Sequence, residues 1–562
     1  MSTESTLPTG ANMADYEETR SAYRPEVPAQ FNFGVDVVDR WAASAPTAEA
    51  LFWVGDGGAE RHVSYADLAG RSNRVANALE GLGLQRGDRV LVVLPRVVAW
   101  WEALTGLFKA GLVAAPGTML LTARDLAYRL EACEAAAVVV DASLCERVDE
   151  ALAQAGRSLR ARIAVGSGDA LARDGWLAFE EVVGRAPAER TPLATRSDEP
   201  ALLYFTSGTT AHPKMVLHSQ ASYGIGHAVT GRYWLDLRPG DLHWNISDTG
   251  WAKAAWSSYF GPLICGATLF VQHSTGRFSA PDILRYLGAY PITTMCGAPT
   301  VYRMLVQEDL TGLRCPTLRH CVAAGEPLNP EVIEVWRRAT GLSIRDGYGQ
   351  TETVLLAGNF PPLAVKPGSM GRPAPGVDLA VIDHGGGVLP AGKEGDIAVA
   401  LTPTRPVGLF LEYWRNPESM GQSFSSDGRW YRTGDRGMVD EDGYFWFIGR
   451  ADDVILSAGY RIGPFEVESA LLEHPAVAES AVVASPDPIR GEIVKAFVVL
   501  AAGHAASDAL ASELQEHVKR VTAPYKYPRE VEFVPDLPKT ISGKIRRVDL
   551  RERARKRTQR PV

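Results

Sequence analysis

Short β-branched apolar runs alternate with amphipathic stretches along most of the chain. Residues 89–95 (RVLVVLP) are brief and Val-rich, the pattern of a strand buried on both faces. Before them, Leu68, Val75, Ala76, Leu79 and Leu82 recur at helical spacing within 67–84; after them, 100–112 is helical in pattern. Further strands are predicted at 135–140, 201–205, 268–272, 293–296, 320–323 and 343–345. Between the last two, Asn329-Pro330 opens a helix and Gly341 closes it. Such alternation predicts βαβ units, with largely parallel sheets carrying helices on both faces. Near residue 365 the pattern changes. Residues 378–400 hold two alternating runs around the turn cluster Asp383-His-Gly-Gly-Gly387, which predicts antiparallel pairing in a barrel-like subdomain ending near 443–450. The remainder mixes strands (481–483, 494–500, 531–534) with helices (465–473, 507–520) and reads as a small separate α+β domain. The predicted fold class is therefore α/β. A large N-terminal domain of two βαβ-type subdomains plus a β-rich barrel-like subdomain is followed by a small mobile α+β C-terminal domain.

Composition narrows the function. The chain has 562 residues, 46% hydrophobic and 22% charged, which excludes a wholly disordered chain, a fibre and a polytopic membrane protein. Fifty-eight Lys and Arg against 66 Asp and Glu give a net charge of −8, which argues against nucleic acid as the main partner. Six cysteines, at 133, 145, 265, 296, 315 and 321, form no CxxC pair and read as small buried hydrophobes. The first twelve residues are polar and are expected to form a mobile tail, with Met13 as a second candidate start. The N-terminus has early acids and no apolar core, unlike a signal peptide. The apolar region 90–121 is broken by Arg96, Glu102 and Lys109, so it makes no clean membrane span. Together these place the protein in the cytoplasm. Residues 545–562 carry eight Lys or Arg against two acids and are expected to be a solvated tail, with attraction of a polyanionic ligand as the alternative.

Four segments carry chemistry. Thr206-Ser-Gly-Thr-Thr-Ala-His-Pro-Lys214 follows a predicted strand: small side chains let backbone N–H groups approach an anion, hydroxyls donate, and Lys214 supplies charge. It suits polyphosphate, yet is neither a Walker A loop nor a nucleophile elbow. Asp346-Gly-Tyr-Gly-Gln-Thr-Glu352, read as a second loop, offers a stacking face in Tyr348 and a carboxylate in Glu352 suited to Mg²⁺ beside phosphates. In Tyr431-Arg-Thr-Gly-Asp435, one carboxylate can take both hydroxyls of a ribose. Pro538-Lys-Thr-Ile-Ser-Gly-Lys-Ile-Arg-Arg547 presents Lys544 on a Ser-Gly loop.

In this order and at these distances the four segments resemble the adenylate-forming superfamily of acyl-CoA synthetases, firefly-type luciferases and peptide-synthetase adenylation domains. The resemblance covers about residues 35–555. Ser247-Asp-Thr-Gly-Trp251, Gly297-Ala-Pro-Thr-Val-Tyr-Arg303, residues 458–468 and residues 522–528 look most like the medium-chain acyl-CoA synthetases. One departure is Ala211, where the family's phosphate loop usually has Gly.

The resemblance implies an AMP-forming acyl-CoA ligase. A carboxylate attacks the α-phosphate of ATP, pyrophosphate leaves, and the thiol of coenzyme A then displaces AMP. It also implies domain boundaries: an N-terminal extension at 1–34, an adenylation domain at 35–449, a hinge at 450–453 pivoting on Asp452, and a C-terminal domain at 454–562. Thr206, Ser207, Gly208, Thr209, Thr210 and Lys214 would wrap the outer phosphates. Gly325, Glu326 and Pro327, with Asp346, Gly347 and Tyr348, would frame the adenine, continuing through Gly349 and Gln350. Thr351 would contact the α-phosphate and acyl carboxylate, Glu352 would bind Mg²⁺, Asp435 would hold the ribose, and Arg450 would lie nearby. Lys544 would bridge the substrate carboxylate and α-phosphate as a point charge. Ala458, Gly459, Tyr460 and Arg461 would meet the pantetheine arm, and Arg490 the phosphates of coenzyme A. Trp251 and Gly297 would line the acyl slot. The resemblance favours a medium-chain acid. An aromatic, benzoate-like acid, or loading of a carrier-protein thiol, is the alternative. Self-association as a homodimer stays open, and an acetyltransferase and deacetylase acting on Lys544 would be natural partners, because acetylation removes its charge.

Overall fold

The computed structural model describes residues 10–166, 173–206, 213–274, 278–457, 460–487, 490–539 and 545–558. Two large sheets organise the chain up to Arg450. In the first, Val113–Pro116, Arg89–Val93, Ala135–Asp141 and Ala161–Val165 pair in parallel. Pro200–Thr206 joins this sheet and turns back as Lys214–Ser219, antiparallel to it, with Thr206 opposite Lys214. In the second, Ile344–Gly349, His320–Ala324, Thr294–Gly297, Leu242–Ile246, Thr268–Gln272 and Glu49–Val54 lie side by side in parallel. Parallel strands need covered faces, and the strand residues match: every residue of Leu242–Ile246 and of His320–Ala324 is buried.

The helices follow local signals. Asn329 caps Pro330–Thr340 by accepting the Glu331 N–H at 2.8 Å, and Gly341 ends the helix with φ of 75°. Val98–Lys109 is buried on every side. Its two charges are therefore paired: Glu102 with Arg71 at 3.1 Å, and Lys109 with Asp39 at 2.5 Å.

The expected antiparallel region is present, and it continues the second sheet. Leu355–Gly358 and Ser369–Pro373 lead into Phe445–Arg450, Trp430–Val439, Gly395–Ala400 and Leu379–Ile382. Beyond Arg450 a separate mixed sheet forms, with Tyr460–Ile462, Ile455–Ser457, Gly491–Leu500 and Val477–Asp487 in order and Glu530–Phe533 beside Gly491–Leu500. The protein is thus α/β, a large N-terminal part with a small C-terminal part.

The expectations about the two ends change where residues are described; residues 1–9 of the expected tail lie outside them. The polar start is already anchored at Asn12: its N–H donates to Asp236 Oδ1 at 2.7 Å and its Nδ2 to two carbonyls at 2.9 Å, while Met13 is buried. The basic C-terminal stretch is no solvated tail over its described part. Arg547–Thr558 is a helix that buries Leu550 and Ala554 against Phe497 and Val483. Its arginines find specific carboxylates: Arg547 with Glu468, Arg551 with Asp453, and Arg553 with Glu532. A charge run with an apolar residue every fourth position can be a packed helix. No helix among the described residues is long and apolar enough to cross a membrane.

Candidate active site

The second sheet delivers its chemistry at one edge. The parallel strands Leu242–Ile246, Thr294–Gly297, His320–Ala324 and Ile344–Gly349 end next to one another. Their carboxyl ends lead into Ser247–Trp251, Gly297–Ala298, Gly325–Pro327 and Gln350–Glu352. Ligands of open α/β sheets bind at this edge. One reading of the sequence needs correction here. Asp346–Gly349, taken as loop, is strand. Glycine appears twice because the neighbours leave no room for a side chain: a Cβ on Gly347 would lie 2.4 Å from Trp234, and one on Gly349 2.4 Å from Trp256.

Asp346 is buried, and its carboxylate accepts the Gly347 N–H at 2.9 Å and also the Leu328 N–H, which ties this strand to the Gly325–Pro327 segment. Burial pushes its pKa well above the usual carboxylate range. Glu326 does not point into the cleft. Its carboxylate accepts the Thr300 N–H at 3.0 Å and pairs with Arg303 at 3.3 Å, so the backbone of Gly325–Pro327 is what that segment presents.

Asp435 gathers three of the singled-out residues. Its Oδ2 accepts from Tyr348 Oη at 2.6 Å and from Gln350 Nε2 at 2.7 Å, and its Oδ1 faces Arg450 Nη1 at 2.8 Å. Register supports this: Asp435 and Arg450 are direct partners on adjacent antiparallel strands. Gln350 is also held by Tyr431, whose hydroxyl donates to Oε1 at 3.0 Å.

Thr351 and Glu352 form the next turn. The Glu352 carbonyl accepts the Phe410 N–H at 2.8 Å, and Tyr413 Oη donates to Glu352 Oε1 at 2.8 Å. Lys214 Nζ lies 4.9 Å from the centroid of the same Tyr413 ring, a cation–π distance. Tyr413 thus bridges the residue that closes the phosphate-loop candidate and the metal-ligand candidate. Burial raises the Glu352 carboxyl above its ordinary value, with Tyr413 and the Arg450 and Lys214 charges opposing. Ser207, Gly208, Thr209, Thr210 and Ala211 lie outside the described residues; Thr206 and Lys214 bracket them.

Trp251 is half-buried at the start of the helix Ala252–Ala255. Its loop is clamped to the first sheet: Thr249 Oγ1 donates to the Leu94 carbonyl at 2.5 Å, and Thr118 Oγ1 to Asp248 Oδ2 at 3.1 Å. Gly297 is buried at its strand end, where a Cβ would touch Tyr302 at 3.0 Å.

The remaining candidates sit in the C-terminal sheet. Tyr460 is 52% exposed and stacks on Tyr525 at 4.3 Å and 18°. Arg461 pairs by backbone with Leu456, while Ala458 and Gly459 lie outside the described residues. The Arg490 N–H donates to Asp487 Oδ1 at 2.8 Å, and Ser457 pairs with Gly491, so these positions share one end of the sheet. Asp452 lies in the turn between Arg450 and Ile455, where its carbonyl accepts from Arg551 at 3.2 Å. Lys544 is outside the described residues; Lys539 and Ile545, on either side of the stretch that holds it, form an antiparallel bridge. Arg547, just beyond, lies within electrostatic reach of both Asp453 and Glu326.

Sequence reading missed Tyr413, His218, Tyr223 and Trp256. His218 Nε2 and Tyr223 Oη both donate to the Thr351 carbonyl, at 2.7 and 2.6 Å. None of them stands in a motif, so no local pattern marks them.

Strands of both large sheets thus bring Asp435 and Lys214 to the segment Gln350–Glu352, the first directly and the second through Tyr413. Residues 38–414 match the AMP-binding enzyme family and 466–544 match the AMP-binding enzyme C-terminal domain. The chain belongs to this family, within the adenylate-forming superfamily, and is an enzyme of the acid–thiol ligase class. It is 50% identical over 553 residues to the human mitochondrial acyl-coenzyme A synthetase ACSM3, covering 97% of this chain and 93% of the relative. Against human mitochondrial ACSM4 it is 50% identical over 552 residues, 97% and 94% of the two chains. A crystal structure of the anthranilate CoA ligase AuaEII with anthranoyl-AMP superposes with a TM-score of 0.86 at 30% identity, covering 94% of this chain and 98% of the other. These relatives correct the cytoplasmic expectation, since acyl-coenzyme A synthetases ACSM3 and ACSM4, to which the chain is similar over nearly its whole length, are mitochondrial. The expectation rested on a polar N-terminus and the lack of an apolar span, neither of which specifies a compartment.

Proposed function

We propose that this protein joins a medium-length carboxylic acid to coenzyme A through an acyl-adenylate. The observation that carries the reading is the joint placement of Asp435 and Glu352 on either side of the Gln350–Thr351 turn, with Lys214 reaching the Glu352 side through Tyr413. In the first half-reaction a carboxylate oxygen bonds to the α-phosphorus of ATP and the bond to pyrophosphate breaks. The difficulty is bringing an anion to a polyanion, so catalysis is positioning plus positive charge. Asp435 takes the ribose hydroxyls, Arg450 keeps Asp435 oriented, and Thr206 with Lys214 and the intervening 207–210 hold the outer phosphates. Thr351 orients the α-phosphate and the acid, and Lys544 stabilises charge on the transferring phosphorus. In the second half-reaction the coenzyme A thiolate attacks the acyl carbon and AMP leaves with the carboxylate oxygen.

Glu352 is the residue that would hold Mg²⁺. Its desolvated carboxylate gains most from a cation, and substrate phosphates would supply further oxygens. Bound Mg²⁺ would neutralise phosphate charge.

The turn at Asp452 serves as the hinge on which the C-terminal domain exchanges Lys544 for the Tyr460, Arg461 and Arg490 face. Acetylation of Lys544 would halt the first half-reaction alone. Trp251 and Gly297 wall the acyl slot. An aromatic acid is the second reading, favoured by the likeness to an anthranilate ligase holding its aryl-adenylate.

The test is acyl-CoA and AMP formation from ATP across straight-chain and aromatic acids, with and without coenzyme A. Turnover peaking at mid-length chains supports the proposal. A peak at benzoate-like acids supports the second reading. Pyrophosphate release that ignores coenzyme A contradicts both.

A further inference from the structure

The Thr351 carbonyl sits inside a turn that the Thr353 N–H closes onto the Gln350 carbonyl at 3.2 Å. Two side chains from one neighbouring segment converge on it. His218 lies near the end of the strand Lys214–Ser219 and Tyr223 on the helix Gln220–Gly224, which Ser219 caps. Both are buried, with rings 3.9 Å apart, and they reach the same oxygen at 2.7 and 2.6 Å. A carbonyl can only accept, so His218 carries its proton on Nε2, and Nδ1 faces the Ser222 hydroxyl at 3.0 Å, whose one proton is shared with the Ser219 carbonyl at 3.1 Å. Burial pushes the His218 pKa down to about 3, which keeps this neutral tautomer. Tyr223 Oη donates to Thr351 and accepts from Trp256 Nε1 at 3.3 Å. Trp256 follows directly on the helix Ala252–Ala255 that begins at Trp251.

One donor would satisfy the carbonyl; two buried polar side chains aimed at it add direction. An oxygen pinned from two angles fixes the peptide plane between Thr351 and Glu352, and with it the direction of both side chains. We infer that His218 and Tyr223 are positioning residues for the adenylation half-reaction, a two-donor clamp that aims the Thr351 hydroxyl and the Glu352 carboxylate, tied through Trp256 to the segment that walls the acyl slot. The inference rests on the roles proposed above for Thr351 and Glu352.

The test is acid-dependent ATP–pyrophosphate exchange in the full chain and in Tyr223→Phe, His218→Leu and His218→Gln, with the Mg²⁺ concentration for half-maximal rate and the urea midpoint measured alongside. A small misaim of a reacting group costs on the order of tenfold or more in rate. Tyr223→Phe and His218→Leu should each slow exchange about tenfold and raise the Mg²⁺ requirement, with KM for ATP within about twofold. His218→Gln, whose amide can still donate, should recover to within about threefold. Mere loss of folded protein would lower the rate without moving the Mg²⁺ requirement. Should His218→Leu unfold, Tyr223→Phe alone decides. Unchanged exchange and Mg²⁺ requirement in folded Tyr223→Phe overturns the inference, as does a Gln variant as slow as a folded Leu variant. No exchange in the unmodified chain with any acid overturns the ligase reading itself, and this inference with it.

Discussion

Asp435 divides its two carboxylate oxygens between opposite kinds of partner. Oδ1 faces the Arg450 guanidinium at 2.8 Å, and Oδ2 takes the hydroxyl of Tyr348 at 2.6 Å and the amide of Gln350 at 2.7 Å. Three strands, Ile344–Gly349, Trp430–Val439 and Phe445–Arg450, therefore share one buried acid at the mouth of the proposed nucleotide site. Asp435→Asn keeps the shape but removes the charge, and its amide can accept on one atom only. KM for ATP should rise by about tenfold or more, since hydrogen bonds to charged groups are worth roughly 1.5–3 kcal/mol. Steady-state kinetics at saturating acid check this, and an unchanged KM would remove Asp435 from the ribose.

Gly349 has no space for a methyl group. A Cβ there would meet Trp256 at 2.4 Å and the Val354 carbonyl at 2.5 Å, so the strand end must shift. Overpacking of this kind costs about 1–3 kcal/mol. Gly349→Ala should lower the urea midpoint accordingly and reduce adenylation further, because the shift lands one residue from Gln350. A variant with wild-type midpoint and rate would show that the contact relaxes freely.

Buried neutral histidines set an acid limit to stability. Burial pushes His218 and His243 down to about 3 and His320 to about 4, against 6.5 for an exposed imidazole. Between these values the unfolded chain binds protons that the folded chain does not, so stability rises with pH through this window and falls as pH drops from 6.5 toward 3. Each such histidine contributes a slope of up to about 1.4 kcal/mol per pH unit. Buried carboxyls such as Asp346 and Glu352, whose pKa burial raises, slope the other way, so the histidine share is read as a difference: between pH 4.5 and 6 the urea midpoint of His218→Gln should rise less steeply with pH than that of the unmodified chain, by up to one proton. Identical slopes in the two proteins would contradict the burial argument.

The C-terminal helix is pinned at its first residue, Arg547. Arg547 Nη2 meets both oxygens of Glu468 at 2.7 Å, and Glu468 Oε1 also accepts the Val482 N–H at 2.7 Å. Removing one partner of a buried pair costs about 3–5 kcal/mol. Glu468→Gln should expose the C-terminal sheet to amide exchange before the N-terminal sheets, measured by hydrogen–deuterium exchange. Uniform protection in both parts would show that the pair does not hold this domain together.

Much of this architecture could be read from the sequence, for physical reasons. Buried parallel strands such as residues 268–272 announce themselves as short β-branched runs, and the observed strand Thr268–Gln272 has those bounds. Asn329 and Gly341 mark helix ends because capping is local chemistry. The basic C-terminal stretch misled because charge dominates its composition, while only Leu550 and Ala554 reveal the packed face. Asp346–Gly349 misled because two glycines suggest a loop; here they answer the close approach of Trp234 and Trp256, which no local pattern records. The residues that gather around the site were visible only where a motif carried them. Asp435 and Glu352 stood in such motifs; Tyr413, His218 and Tyr223 reach the site from other segments by tertiary packing.

The central claim is the path through an acyl-adenylate, and oxygen tracing tests it most directly. The protein is supplied with a carboxylic acid labelled with oxygen-18 in both carboxyl oxygens, together with ATP, Mg²⁺ and coenzyme A, and the products are separated by mass spectrometry. If the carboxylate attacks the α-phosphorus, each AMP carries one labelled oxygen and pyrophosphate carries none. Label in pyrophosphate or orthophosphate, or acyl-CoA formed with unlabelled AMP, would contradict the account.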